Sequence, residues 1–279
     1  MDSPSCSCAI SPSCDEADPE SRTVLNRRDS LIVLACDTKY NHVDALRKLM
    51  RRDSRFAWVD LSSCNDVRHA QIFVRQRGAT AAGWTEDDAQ LRALLESDSI
   101  PQYVWPAAGY LQQWIRAHRS TFASKTILEL GCGTGIIGLT VAQYAKLVVL
   151  TDCSAVSLAM TLESLARNNV CNCSVAALSW GREDQMAHVK KVCHVDGFDV
   201  VIGSDVFYFS SAMKSGLATV RSAFAPTNNR AAIFLCGSVA RSERMEAELD
   251  EVPIQEGFEL TDFVAQDSFR LYCWKLAAR

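Results

Sequence analysis

Thr126-Ile127-Leu128-Glu129-Leu130-Gly131-Cys132-Gly133-Thr134-Gly135-Ile136-Ile137-Gly138-Leu139 runs a short strand, a glycine-rich bend and a helix start together. Ile127, Leu128 and Leu130 read as a buried strand, and from Ile136 apolar residues continue at helical spacing through Val141 to Tyr144. A strand that turns sharply into a helix exposes unpaired helix N–H groups at the bend. Glycines at 131, 133 and 135 let the backbone turn tightly and a ligand approach it. The helix start then favours a negative group, phosphate or carboxylate. Gly133, Gly135 and Gly138 also spell G-x-G-x-x-G, the dinucleotide fingerprint. Asp152 ends the next apolar run, 147–151, where an acid takes a ribose diol in either reading. Strand, glycines, helix, second strand and acid arrive in order, which a ligand-free glycine turn does not require. They point to an adenosine-containing cofactor on an α/β sheet without choosing among such cofactors.

Outward from this stretch, the pattern alternates. A helix is expected over 154–168, stopped by Asn168-Asn169, with further helices near 212–224 and 243–249. Strands are expected at 175–178, 198–203, 231–236, 258–264 and 269–276. Upstream, Pro106 suits a first helical position, and Ala108, Leu111, Trp114 and Ile115 continue that helix on one side. Thr85 before Glu86-Asp87-Asp88 reads as another helix start, with Leu91, Leu94 and Leu95 as its apolar face. Strand-like pieces stand at 31–36, 56–59 and 71–74, with a short helix carrying Val43, Leu46, Leu49 and Met50. The fold class is therefore α/β: a doubly wound, mostly parallel sheet with helices on both faces and an N-terminal accessory region. Three parts are expected: a disordered acidic tail at 1–22, the accessory region at 23–100, and the cofactor-binding domain at 101–279. Ligands on such sheets sit beyond the carboxyl ends of the strands. Those ends carry Glu129, Asp152, Ser179-Trp180 and Ser204-Asp205. Trp180 stands just before Gly181, where an indole can stack on a flat base; a core aromatic is the competing reading.

Composition narrows the class. With 48% hydrophobic and 22% charged residues, the chain has the balance of a soluble globular protein, and no apolar run is long enough to span a membrane. The N-terminus lacks a basic-then-apolar signal, and its acids argue against a mitochondrial transit peptide. Residues 1–22 hold five acids against Arg22, a net of −4 that equals the whole chain's. A formally neutral remainder argues against nucleic acid as a partner. Residues 23–79 are locally basic, with eleven Lys/Arg against six Asp; a run such as Arg47-Lys48 and Arg51-Arg52 is read first as a solvated helix face. The twelve cysteines are scattered and form no paired zinc spacing, so reduced thiols in the cytoplasm or nucleus and no metal site are expected.

Four signatures stand in order: Val104-Trp105-Pro106-Ala107-Ala108, Glu129 through Gly135, Leu178-Ser179-Trp180-Gly181, and Ser204-Asp205-Val206-Phe207-Tyr208. On them the chain, over roughly 103–276, resembles the seven-strand protein-lysine methyltransferases that act on valosin-containing protein, heat-shock chaperones and calmodulin. The resemblance implies S-adenosylmethionine as cofactor and lysine side chains of a protein substrate as acceptor. It implies that Gly131, Gly133 and Gly135 line the methionine part, with Glu129 beside it. Asp152 would bind the ribose, Trp180 border the adenine, and Trp105 and Ser204 close the pocket. Asp205 and Tyr208 fall on the family's Asp-x-x-Tyr motif near the acceptor. Ser204 to Phe207 with Arg241-Ser242 is also similar to a branch that methylates arginine in a histone, which leaves an arginine acceptor as the alternative.

Methyl transfer is an in-line displacement with a neutral leaving group, so alignment and exclusion of water matter more than acid catalysis. Asp205 is read as orienting the amine and Tyr208 as holding it; the competing reading makes Asp205 a helix cap after the preceding strand. A small-molecule or nucleic-acid methyltransferase, a nicotinamide enzyme and a non-catalytic binding protein are the rival classes. The oligomeric state is open, with a monomer favoured.

Overall fold

A computed structural model describes residues 24–25, 32–34, 40, 42–52, 56–60, 73–77, 89–208, 210–225, 231–239 and 241–278. The acidic tail, the Thr85 cap and residues 71–72 lie outside the described residues. In chain order the N-terminal part gives β1 (Val24–Leu25), β2 (Ile32–Leu34), α1 (Val43–Arg52), β3 (Phe56–Asp60), β4 (Phe73–Arg77) and α2 (Ala89–Ser97). There follow α3 (Pro106–Ala117), β5 (Thr126–Leu130), α4 (Ile136–Ala142), β6 (Leu147–Asp152), α5 (Ala155–Arg167), β7 (Cys173–Ala177), α6 (Glu183–Val192) and β8 (Val200–Ser204). Last come α7 (Ser210–Ala223), β9 (Ile233–Val239), α8 (Glu243–Gln255), β10 (Phe258–Gln266) and β11 (Phe269–Leu276).

The main sheet runs β1-β2-β7-β6-β5-β8-β9-β11-β10. Pairing is parallel from β2 to β9 and antiparallel at both edges. The chain leaves β5 outward to β6 and β7, then returns to the other side of β5 for β8 and β9. That reversal opens a crevice at the carboxyl end of β5, the place where doubly wound sheets take ligands. The central strands are buried on both faces, and their alternate side chains enter two cores. Ile127, Val148, Leu150 and Ile202 pack with α1, α3, α4 and α5. Leu128, Leu130, Val149 and Val201 pack with α6, α7 and α8. Pro106 opens α3, Asn169 takes a left-handed φ of 52° after α5, and Ser154 caps α5 by accepting from Ser157 N–H. Each follows the local chemistry of its residue.

Two differences from expectation concern long-range contacts. Among the described residues the main sheet has nine strands, because residues 23–100 supply two of them: β2 pairs with β7 through Val33↔Val175 and Leu34↔Ala176. The β3–β4 pair forms a separate antiparallel sheet. Helix α1 lies against α5, and half of its basic run is engaged there. Buried Glu163 accepts from Arg47 Nε at 2.8 Å and from Arg51 Nε and Nη2 at 2.7 and 2.8 Å. These arginines form a clamp, whereas Lys48 and Arg52 are exposed. Helix α6 buries only Gln185, Met186 and Val189, too thin a face for periodicity to reveal. Glu183 and Asp184 in its first turn and Lys190 and Lys191 in its last are the dipole signal that marks it in the sequence.

Candidate functional site

The bend after β5 is built from left-handed glycines, with φ of 61°, 54° and 82° at Gly131, Gly133 and Gly135. Helix α5 holds it: Thr161 Oγ1 donates to Gly133 O at 3.0 Å, and a Cβ on Gly135 would sit 3.0 Å from Thr161 Cγ2. At Gly138, in α4, the constraint is close approach. A Cβ there would lie 2.3 Å from Leu150 Cδ2 and 2.6 Å from Glu129 Oε2. That closeness lets Gly138 N–H donate to the Glu129 carboxylate at 2.8 Å. Glu129 is thus folded under the bend and tied to the start of α4. Burial pushes its carboxyl up to about 8; the Gly138 bond opposes the shift and the Asp152 charge adds to it.

Asp152, at the end of β6, is the second anchor of the bend. It accepts from Gly133 N–H at 3.1 Å, Ser154 N–H at 2.9 Å and Ser157 Oγ at 2.7 Å. Three of a carboxylate's roughly four acceptor sites are therefore filled within the protein. Burial raises its pKa, the three hydrogen bonds oppose that, and the Asp98 charge adds to it. Asp98 is a site residue that sequence reasoning missed. Its carboxylate accepts from Ser154 Oγ beside Asp152. The buried Gln102 side chain donates to Leu95 O and Asp98 O, fixing the segment after α2. Pro101 O then lies 3.8 Å from where a Gly133 Cβ would be, so this segment lies across the bend. Asp98 belongs to no motif; its only local mark is its place between α2 and the Pro101 turn.

Trp180, Val206 and Phe207 form the neighbouring wall. A Cβ on Gly131 would meet Val206 Cγ1 at 3.0 Å and Trp180 Cζ2 at 4.0 Å. Trp180 is half-buried and packs edge-on to Phe207, with ring centroids 5.6 Å apart, so it is core on one side and rim on the other. Ser204 Oγ is buried and has no hydrogen-bond partner among the described residues. Tyr208 is exposed; partial burial raises its phenol pKa, and the charges of Asp152, Cys153 and Asp98 add to the shift. Tyr208 therefore stands within electrostatic reach of the acids around the bend.

Asp205 gathers a second group. Its φ is 54°, a conformation that non-glycine residues rarely hold and that marks local strain. Its carboxylate accepts from Ala107 N–H at 3.1 Å and Val239 N–H at 3.0 Å, and pairs with Arg241 Nη2 at 3.2 Å. Helix α3 begins after Trp105, which has no side-chain oxygen to cap it, so Asp205 supplies that cap from 98 positions away. The helix-cap reading thus holds for α3, not for the helix that follows β8. Trp105 donates from Nε1 to Ile100 O at 3.0 Å, and Arg241 Cζ stacks 5.0 Å from its ring centroid. Trp105 accordingly sits with Asp205 and Arg241, while Glu129, the glycines and Asp152 share the bend, with Tyr208 in electrostatic reach of Asp152. Val206 joins the two groups. Among the described residues no cluster of three or more His, Cys, Asp or Glu is placed to hold a metal.

The sequence model of the lysine methyltransferase family matches residues 86–250, more than half of the chain. The histone-arginine methyltransferase METTL23 of Mus musculus is 33% identical over 140 residues, covering 46% of this chain and 53% of that protein. The EEF1A lysine methyltransferase 3 of Xenopus tropicalis is 30% identical over 154 residues, covering 52% of this chain and 58% of that protein. The chain thus spans about half the length of the curated relatives it matches. Among solved structures, the cyclase SpnF superposes with a TM-score of 0.50 at 12% identity, over 70% of this chain and 95% of that one, a likeness of fold alone.

Proposed function

The chain belongs to the lysine methyltransferase family, and from that premise we propose that it transfers methyl groups from S-adenosylmethionine to lysine side chains of a protein substrate. The observation that carries this reading is the bend after β5: three left-handed glycines pinned between Glu129 and Asp152 at the sheet's switch point. The residues fit the cofactor. The bend offers bare backbone, Asp152 keeps an acceptor site for a ribose hydroxyl, Trp180 presents a flat rim to an adenine, and Ser204 Oγ lacks a partner. When bound, the cofactor supplies a methyl group on a sulfonium. The chain's own part is to align the acceptor and exclude water, a contribution of up to roughly 7–11 kcal/mol. A lysine amine, with a pKa of about 10.4 in water, must be neutral to attack, and burial among apolar walls such as Val206 and Trp180 lowers it. Tyr208 is assigned to hold that amine. Trp105 and Asp205 are assigned to the acceptor side of the pocket.

Two predictions follow from these roles. Asp152→Asn is expected to weaken S-adenosylmethionine binding by about 1.5–3 kcal/mol, the worth of a hydrogen bond to a charged group. Because Asp152 also holds Gly133 and Ser157, Asp152→Ala adds a loss of stability that the asparagine variant largely avoids. Calorimetry on both variants, with urea unfolding alongside, separates the two effects; unchanged affinity in a folded variant would move the cofactor elsewhere. Tyr208→Phe is expected to cut turnover by about 10²-fold while cofactor affinity stays within a few-fold. Single-turnover kinetics tests it, and equal loss of both would place Tyr208 on the cofactor.

An arginine acceptor is the second reading, favoured by the 33% identity to the mouse histone-arginine enzyme. The deciding experiment is labelling of a cell lysate with radioactive S-adenosylmethionine, then mapping of the modified residue. A lysine acceptor also gives a rate that climbs with pH until the amine is neutral, whereas guanidinium stays charged. We also propose a cytoplasmic or nuclear location and a monomer; the free thiols of the described cysteines, several of them buried, suit a reducing compartment. No helix among the described residues is long and apolar enough to cross a membrane.

A further inference from the structure

The sequence motifs account for Asp205 and Trp105 but leave Arg241 without a role, and its surroundings are those of a bound cation. Its guanidinium meets the Asp205 carboxylate at 3.2 Å and lies 5.0 Å over the Trp105 ring. A carboxylate below and an indole face beside are the two partners that recognise an alkylammonium or alkylguanidinium ion. The two members of the ion pair differ in burial. The Asp205 side chain is 2% exposed, whereas that of Arg241 is 38% exposed and reaches in from the solvent side. Asp205 also has two backbone N–H donors that never leave, from Ala107 and Val239. Arg241 is thus a third and exchangeable partner, carried by the segment that follows β9.

We propose that Arg241 is an internal stand-in for the acceptor: its guanidinium occupies the seat on Asp205 and Trp105 that the substrate's cationic side chain takes, and it must leave for the substrate to enter. This rests on the methyltransferase reading and deepens it. Exchange of one cation for another keeps the charge of the seat constant, so the Asp205 carboxylate is never left unpaired. It also makes Arg241 a selector. An acceptor segment gains the seat only if its other contacts outweigh an intramolecular competitor present at high effective concentration. Free small amines, which have no other contacts, are kept out.

The test needs no knowledge of the substrate. Wild type, Arg241→Ala and Arg241→Gln, each saturated with S-adenosylhomocysteine, are titrated with n-butylammonium and with ethylguanidinium, and binding is read by calorimetry. Both variants are expected to bind at least one of these ions at least about tenfold more tightly than wild type, an amount that one cation–π contact supplies. Methylamine-sized ions, too short to span from carboxylate to indole, are expected to gain less. A purely structural Arg241 would lower the unfolding midpoint of both variants and leave cation binding as in wild type; that result overturns the proposal. The glutamine variant keeps a polar side chain at this partly exposed position without its charge, so the comparison survives if the alanine variant does not fold. Failure of S-adenosylhomocysteine to bind wild type would instead strike the methyltransferase reading itself, and the inference with it.

Discussion

Asp205→Ala is expected to lower the stability of the protein by about 3–5 kcal/mol, the range for removing one partner of a buried charged network. The carboxylate is almost inaccessible and serves three donors, in α3, at the end of β9 and in the segment that follows it. Its loss leaves Ala107 N–H at the start of α3 and Val239 N–H at the end of β9 without their acceptor. The orphaned Ala107 donor, which is buried, costs about 1–3 kcal/mol, and the part-buried Val239 donor less. Alanine is also a poorer occupant of the left-handed φ of 54° than aspartate. Asp205→Asn keeps one amide acceptor and tolerates that backbone, so it should retain most of the stability. Urea unfolding of both variants checks the order, and an alanine variant within about 1 kcal/mol of wild type would contradict it. The result bears on kinetics: an activity lost in Asp205→Ala reports on the position of α3 before it reports on the acceptor.

Glu129→Gln is expected to flatten the dependence of stability on pH and to stabilise the protein under mildly alkaline conditions. Burial holds the native Glu129 carboxyl at about 8, against an ordinary 4.5. The native state therefore keeps a proton that the unfolded chain releases across that interval. The stability tied to this proton is complete below pH 4.5 and is lost as pH rises through 8. The full interval corresponds to on the order of 4–5 kcal/mol. Glutamine has nearly the same shape, still accepts from Gly138 N–H, and carries no charge at any pH. Urea midpoints for wild type should fall between about pH 5 and about pH 8 more steeply than for the variant. Parallel slopes in the two proteins would mean that Glu129 is ionised in the folded state.

The parts of this design that are legible in the sequence are those written in neighbouring residues. The turn from β5 into α4 shows in the glycine spacing and the switch from strand to helix period, and the Ser154 and Pro106 helix starts follow the same logic. Parts that rest on partners distant in the chain are hidden. Asp98 reaches Asp152 through Ser154, and no spacing rule connects them. Asp205 can be read as a strand-end acid, but the helix it caps lies far upstream. Arg47 and Arg51 look like solvated charges until Glu163 is found beneath them. Helix α6 escapes because hydrophobic periodicity needs a broad buried face, and this one buries three residues. Tertiary pairing, rather than local preference, sets the first three.

The pairing of β2 with β7 imposes an order of assembly. Val33 finds Val175 only after β5, β6, α5 and β7 have been made and aligned, so an early part of the chain must wait for a middle one. Closing so long a loop is entropically expensive and is repaid by few strand contacts. The border of β7 with β2 is therefore sealed only once that middle part is in place. With β1, β2 and α1 detached, the parallel core from β7 to β9 keeps its own two apolar layers, while one bare strand edge is open to other chains. The Arg47 and Arg51 clamp on Glu163 acts as the latch on that border. Loosening this latch, as in Glu163→Gln, should favour opening there and self-association through β7 before the bend that holds the site is disturbed.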